Sequence, residues 1–498
     1  MSYRQLSDHY RRIAHLGHVG AIIGWDEAVM MSARGGESRA EAQATLDVLV
    51  HGLRSDPRVA GWLDTAENEV LSGLEHANVR EMRREYVRAT ALDADLVEAR
   101  KRASVRCEQA WRSQRGKSDW AGHLPLLEQV VSLEREAAQA LADALGLDPY
   151  DALLDGFDPG MRTSMIDPVF DEIATWLPGM LARVVDAQSD QNVVEPSGPF
   201  PVETQRELAT GLMRAVGFDF DRGRVDVSHH PFCGGVPDDV RITTRYDEAD
   251  FTRALMGVLH ETGHAKYDQG LPVALLDQPV GQPRGMAVHE SQSLLMEMQI
   301  CRSPAFVRFL APRLHTAFPE QAAAQPRAFD DANLVRLYSR VKPGFIRVDA
   351  DEVTYPLHIL LRYRMERDLI AGTLAAANLP QVWDEAMNEL LGLSTGENHC
   401  DGCMQDVHWA AGALGYFPTY TLGALLAAQL FETARADLGD LDASIEAGDL
   451  TALDAWLAAK IWIPASTLET PDLIEHATGE PLSSRAFRAH LERRYLPA

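Results

Sequence analysis

The feature that most constrains this chain is its helical period. Across most of its 498 residues, apolar side chains recur three and four apart among abundant Ala, Leu, Glu and Arg, and few stretches alternate as a strand does. This pattern predicts a mainly α fold. Residues 1–140 carry several long amphipathic segments, for example 66–92, and residues 202–218 carry another. The apolar run "LGALLAAQLF" (422–431) falls well short of the roughly 20 residues a bilayer span needs, so it reads as a core helix. With 46% hydrophobic residues the chain can bury a large core, and it is expected to form one helical body over residues 1–498.

Three islands interrupt the pattern. In "RVDVSHHPFCGGVPDDVRITTRYDEADF" (224–251), Gly and Pro surround β-branched residues, which predicts a short strand or hairpin with connecting loops. The others are "KPGFIRVDADEVTYP" (342–356) and "NHCDGCMQDVHW" (398–409). Loops on a rigid helical frame are where functional groups tend to sit.

Bulk charge narrows the partners. Against 47 Lys and Arg stand 73 Asp and Glu, a net charge of −26 that repels phosphate backbones and argues against nucleic acid. The first residues hold only a short apolar patch, Val19–Trp25, followed at once by acids, which is neither a signal peptide nor a membrane span. Five sparse cysteines, an odd number, point to a reduced, cytoplasmic protein.

Within "LMGVLHETGHAKYDQG" (255–270) the residues His260-Glu261-Thr262-Gly263-His264 form an H-E-x-x-H. Such a motif arises by chance in about 4% of chains of this composition and length, so context has to decide it. Phe251, Ala254, Leu255, Val258 and Leu259 recur at helical spacing after the capping acids of 247–250, so the motif lies on a helix with one buried face. There His260 and His264 are one turn apart and can converge on one metal, while Glu261 points about 100° away, as suits a base that holds water. A catalytic zinc wants a third protein ligand. Glu290, in the helical stretch "GMAVHESQSLLMEMQIC" (285–301), is the candidate, with His289 as the rival. Glu297, two turns beyond Glu290, is either an orienting partner for a ligand histidine or a solvated acid.

With "HETGH" and "HESQS" in this order, the chain resembles the carboxypeptidase Taq family of zinc metallocarboxypeptidases. "DVRIT" (239–243), "IRVDAD" (346–351) and "GCMQDVHW" (402–409) match further family motifs, and the flanks "HPF" (230–232), "GYFPTY" (415–420) and the N-terminal stretch 25–46 agree. Two departures stand out: Leu294 where the family usually has arginine, and an altered segment between Gly270 and His289. Both bear on the substrate groove rather than on a ligand or base.

The resemblance implies a helical body in two halves flanking a long groove, one Zn2+ per chain (with Co2+ able to substitute), a homodimer, and release of single C-terminal residues of broad type with proline disfavoured. It points to His408 and to Tyr416 or Tyr420 as donors to the oxyanion. Recognition of the substrate's α-carboxylate calls for a guanidinium fork, for which Arg347 is the first choice and Arg241 the second. Asp239, Asp351 and Asp406 are expected to buttress these groups. Two other functions remain open: release of C-terminal dipeptides, and a zinc-bearing peptide-binding protein without turnover, against which an intact Glu261 argues. Cys400 and Cys403 form a C-x-x-C without enough neighbouring ligands for a structural zinc, and are read as incidental.

Overall fold

The structure, a computed structural model, describes residues 2–228 and 231–496, so His230 of the "HPF" flank lies outside the described residues. Among these residues 21 α-helices make up most of the chain, and one three-stranded sheet supplies the β structure. The fold is mainly α, as the helical period predicts. No described helix is long and apolar enough to cross a membrane. The five cysteines are free thiols, with Cys403 buried and Cys400 half-buried.

Residues 66–92 are not one helix. The first part ends a short helix, and a new one, Gly73–Thr90, starts at a capping box in which Ser72 Oγ accepts from Glu75 N and the Glu75 carboxylate accepts from Ser72 N. The run at 422–431 lies within a helix, Pro418–Leu438, and is itself almost entirely buried. The expected hairpin is present as β2 (Phe232–Val236) and β3 (Asp239–Thr244), and β1 (Gly223–Val227) extends it to a mixed sheet in the order β1-β3-β2. β2 pairs antiparallel with β3, whereas β1 pairs parallel with it, with Arg224 opposite Arg241.

Two large apolar clusters form the core. One gathers side chains from 200–338 and 426–477, the other side chains from 103–184, 341–428 and 486–495. Two helices serve both. Gly285–Leu294 sends Val288 to the first cluster and Ala287 to the second, and Pro418–Leu438 sends Leu426 and Leu430 to the first and Leu422 and Leu425 to the second. Polar groups on these shared helices therefore lie where the clusters meet. A third, smaller cluster holds the N-terminal helices together.

Candidate active site

The motif helix, Phe251–Gly270, begins where the Asp250 carboxylate accepts from Thr252 N at 2.8 Å, and it packs against β3. Its neighbour is the helix Gly285–Leu294. Gly263, in the middle of H-E-T-G-H, lets the two touch: a Cβ there would lie 2.5 Å from the Gln292 carbonyl oxygen and 2.6 Å from Ser293 Cα. On the other side Gly423 does the same for Glu290, since a Cβ at 423 would meet the Glu290 Cβ and Cγ at 2.8 Å. The helix that carries Glu290 is thus pressed between two close contacts. Because the obstacle at Gly263 is backbone, Gly263→Ala is expected to cost about 1–3 kcal/mol of stability by overpacking. It should also weaken metal binding by pushing Glu290 away. Denaturant unfolding and a zinc titration measure the two effects.

His260, His264 and Glu290 each offer one ligand atom within 4.8 Å of the others. Glu290 Oε2 lies 3.3 Å from His264 Nε2 and 3.8 Å from His260 Nε2. Ligand atoms of a tetrahedral zinc with bonds near 2.0–2.1 Å stand about 3.3 Å apart, so the trio has nearly the spacing such an ion needs. The outward nitrogens are held as well. His260 Nδ1 is 2.9 Å from Glu297 Oε2, and His264 Nδ1 is 3.1 Å from the His289 carbonyl oxygen. The structure gives the His289 side chain other company: its Nε2 meets Asp268 at 3.1 Å and its Nδ1 meets His264 Nδ1 at 2.6 Å.

Charge favours a cation here. Burial alone would lower the pKa of His260, but the hydrogen bond to Glu297 and the charges of Glu290, Glu297 and Glu261 raise it to about 10. Carboxylates that hold a proton so strongly hold a dication at the same nitrogen for the same reason. His264 is pushed down to about 4 by burial and by its two neighbouring histidines, so it is neutral and free to ligate. For Glu297, Arg302 and His260 outweigh burial and hold the carboxyl down to about 2. Burial lifts Glu261 to about 7, with Glu290 adding to the rise and His260 opposing it. A carboxylate near neutrality suits a group that must take and return a proton.

Beside this centre lies a second cluster. His408 Nε2 is 3.2 Å from the Tyr420 hydroxyl, and Tyr416 packs edge-on against Tyr420 with ring centres 5.2 Å apart. Both tyrosines are half-buried, and both are pushed above their ordinary pKa by burial and, among other causes, by the Glu290 charge, which ties them to the metal trio. Arg347 belongs to the same cluster. Its guanidinium lies 4.9 Å from the Tyr420 ring centre, donates to Asp406 Oδ1 from Nε and Nη2 at 3.0 and 2.9 Å, and reaches the Tyr355 hydroxyl from Nη1 at 2.9 Å. Asp406 also accepts from Arg362 Nε at 2.8 Å. Two buried guanidinium groups therefore share one carboxylate, leaving an uncompensated positive charge. Burial and these two cations push His408 down to about 4, against the pull of Asp406.

Arg241 sits elsewhere on β3, forked onto Asp239 at 3.0 and 2.7 Å and stacked over Trp25 at 4.3 Å. Asp351 accepts from the backbone N–H groups of Lys342, Val353 and Thr354 and so shapes the turn that follows Arg347. Leu294 is buried in the first core cluster. Within the altered segment, Leu276–Pro279 and Gln282 line a cavity of about 440 Å³ with the first helix and the β2–β3 turn.

The sequence model of the carboxypeptidase Taq (M32) metallopeptidases matches residues 5–495. The chain belongs to that family. This M32 chain is therefore a peptide hydrolase of the metallocarboxypeptidase type. It is 40% identical to thermostable carboxypeptidase 1 of Thermus thermophilus, covering 99% of this chain and 98% of that one, and 34% identical to carboxypeptidase 1 of Bacillus subtilis, covering 99% and 97%. Among solved structures, Trypanosoma cruzi metallocarboxypeptidase 1 superposes with a TM-score of 0.97 at 44% identity, covering 100% of this chain and 99% of that one.

Proposed function

We propose that the chain is a zinc carboxypeptidase that releases single C-terminal amino acids, with Glu261 as general base and His260, His264 and Glu290 as the metal ligands. The observation that carries this reading is the convergence of those three ligand atoms within 4.8 Å, one residue away from a buried glutamate lifted to about 7. A zinc ion held there would act as a Lewis acid on the scissile carbonyl and lower the pKa of the attacking water. Cobalt could replace it, since such a donor set discriminates poorly between the two.

The chain's own residues do the rest. Glu261 takes the proton of the attacking water and returns it to the departing amine. His408, neutral at physiological pH, and Tyr420 form a hydrogen-bonded pair able to donate to the developing oxyanion, with Tyr416 supporting Tyr420. Arg347 is the reading's carboxylate receptor. Its cluster has one positive charge in excess and adjoins Tyr420, whereas Arg241 is matched one to one by Asp239. A single-residue product requires that receptor to sit close to the scissile bond.

The two core clusters flanking the shared helices support a reading as one catalytic unit of two halves with the substrate groove between them. Family resemblance supports a broad choice of C-terminal residue with proline disfavoured, and a homodimer. The sparse cysteines support a cytoplasmic location.

An N-blocked tripeptide tests the reaction. The zinc-loaded protein is expected to release one free amino acid and a blocked dipeptide, resolved by mass spectrometry. Release of an intact C-terminal dipeptide would replace the proposal with a dipeptide-releasing carboxypeptidase, and no release from any blocked peptide would favour a binding protein.

A further inference from the structure

Glu297, which faces His260, lies in a stretch of chain that is not an ordinary helix. Residues Leu295–Cys301 continue the helix Gly285–Leu294 as a π-turn. Such turns are rare and need outside help, since their wider winding leaves end carbonyls without the usual partners. Here the Glu297 carbonyl is met by Arg302 N at 3.0 Å and the Ile300 carbonyl by Ser303 N at 2.9 Å. The two carbonyls between them, Met298 and Gln299, accept from one side chain that arrives from the far end of the chain. Arg494, on the last helix (Arg485–Tyr495), donates Nη1 to Met298 O and Nη2 to Gln299 O, the latter at 3.4 Å.

Arg494 is itself held. Its Nη1 lies 3.3 Å from Glu352 Oε2, and the buried Glu352 also accepts from the Tyr495 hydroxyl at 2.7 Å and meets His490 Nε2 at 2.8 Å. Glu352 follows Asp351 in the turn after Arg347, so the last helix grips both the π-turn and the loop of the proposed carboxylate receptor. A guanidinium presents two separate nitrogens in a fixed planar fork to two successive carbonyls, whereas an ammonium offers one nitrogen on a flexible stem.

We propose that Arg494 is a positioning residue for the metal centre: by capping the Met298 and Gln299 carbonyls, it keeps the π-turn wound so that Glu297 holds His260 in its ligating orientation. This rests on the metal reading above. Carboxylates that orient a ligand histidine typically contribute 10–100-fold to metal affinity, and Arg494 acts through one of them.

Zinc affinity, measured by competition with a chromophoric chelator on the full chain, is the test. Arg494→Met keeps the apolar stem and removes the donors, and it should weaken zinc binding about tenfold. Arg494→Lys, which keeps the charge toward Glu352 but loses the preorganised fork, should weaken it less, and it carries the test if Arg494→Met does not fold. The deciding comparison is made in a Glu297→Gln background, where the Arg494 substitution should have under about a twofold further effect, because its route to His260 is already cut. A lowered melting temperature with unchanged zinc affinity would reduce Arg494 to a structural residue and overturn the proposal. So would a full tenfold effect that persists beside Glu297→Gln. Failure of the parent protein to bind zinc at all would instead overturn the metal reading.

Discussion

Replacing Glu261 by glutamine is expected to lower kcat/KM about 10³–10⁴-fold while the zinc content stays near that of the parent. General acid–base catalysis by one side chain is worth about 10²–10⁴, and Glu261 is asked to move a proton twice, from the water and to the amine. The upper part of that range corresponds to about 4–5 kcal/mol of lost transition-state stabilisation. Metal retention follows from geometry. Glu261 lies one residue from His260, about 100° round the helix, and the converging trio does not include it. Glutamine keeps its size in a nearly buried site, so the motif helix should not repack. Steady-state hydrolysis of an N-blocked dipeptide, run beside metal analysis of the same samples, makes the measurement. Equal activity in the two proteins would remove Glu261 from the mechanism. Loss of zinc together with activity would make it a structural support of the centre.

Much of this site is legible in the sequence because helices turn spacing into direction. Two histidines four apart fall on one face and an adjacent glutamate does not, and that holds whatever the helix packs against. The three irregular islands likewise contain β3, the Arg347 turn and the Asp406–His408 loop. What is not legible depends on winding or on distant partners. Counting two α-turns from Glu290 puts Glu297 on the same face, and its contact with His260 bears out the orienting reading, but the π-turn that winds the chain from Leu295 has no sign in the sequence. Arg362 sits in the helix Tyr355–Ala371 as an ordinary arginine until Asp406, 44 residues later, folds against it. The expected hairpin is β2 with β3, but that β1 joins them by parallel pairing with β3, past the intervening β2 in the chain, leaves no local trace. The break inside 66–92 has a local signal after all, in the capping pair Ser72 and Glu75, but a long amphipathic period hides it.

The choice between Glu290 and His289 as third ligand yields the other large effect. Glu290→Ala should abolish stoichiometric zinc binding and bring hydrolysis down to background, whereas His289→Ala should keep both within about tenfold of the parent. Structural zinc sites bind with about 10–16 kcal/mol from four ligands, so one ligand is worth roughly 3–4 kcal/mol, or about 10²–10³ in affinity. Losing Glu290 costs more than that share. It removes the negative charge nearest His260 Nε2 and His264 Nε2, and it empties the space that Gly423 leaves for it. His289 differs in kind, because the group it presents to His264 Nδ1 at 3.1 Å is its backbone carbonyl, which alanine retains. Its ring meets Asp268 and the back of His264, so its loss should disturb the orientation of His264 without removing a ligand atom. Zinc titration and peptide hydrolysis on the two variants separate these cases. Loss of zinc from His289→Ala with retention in Glu290→Ala would reverse the assignment, and would require the helix Gly285–Leu294 to be turned by about one residue from the position described here.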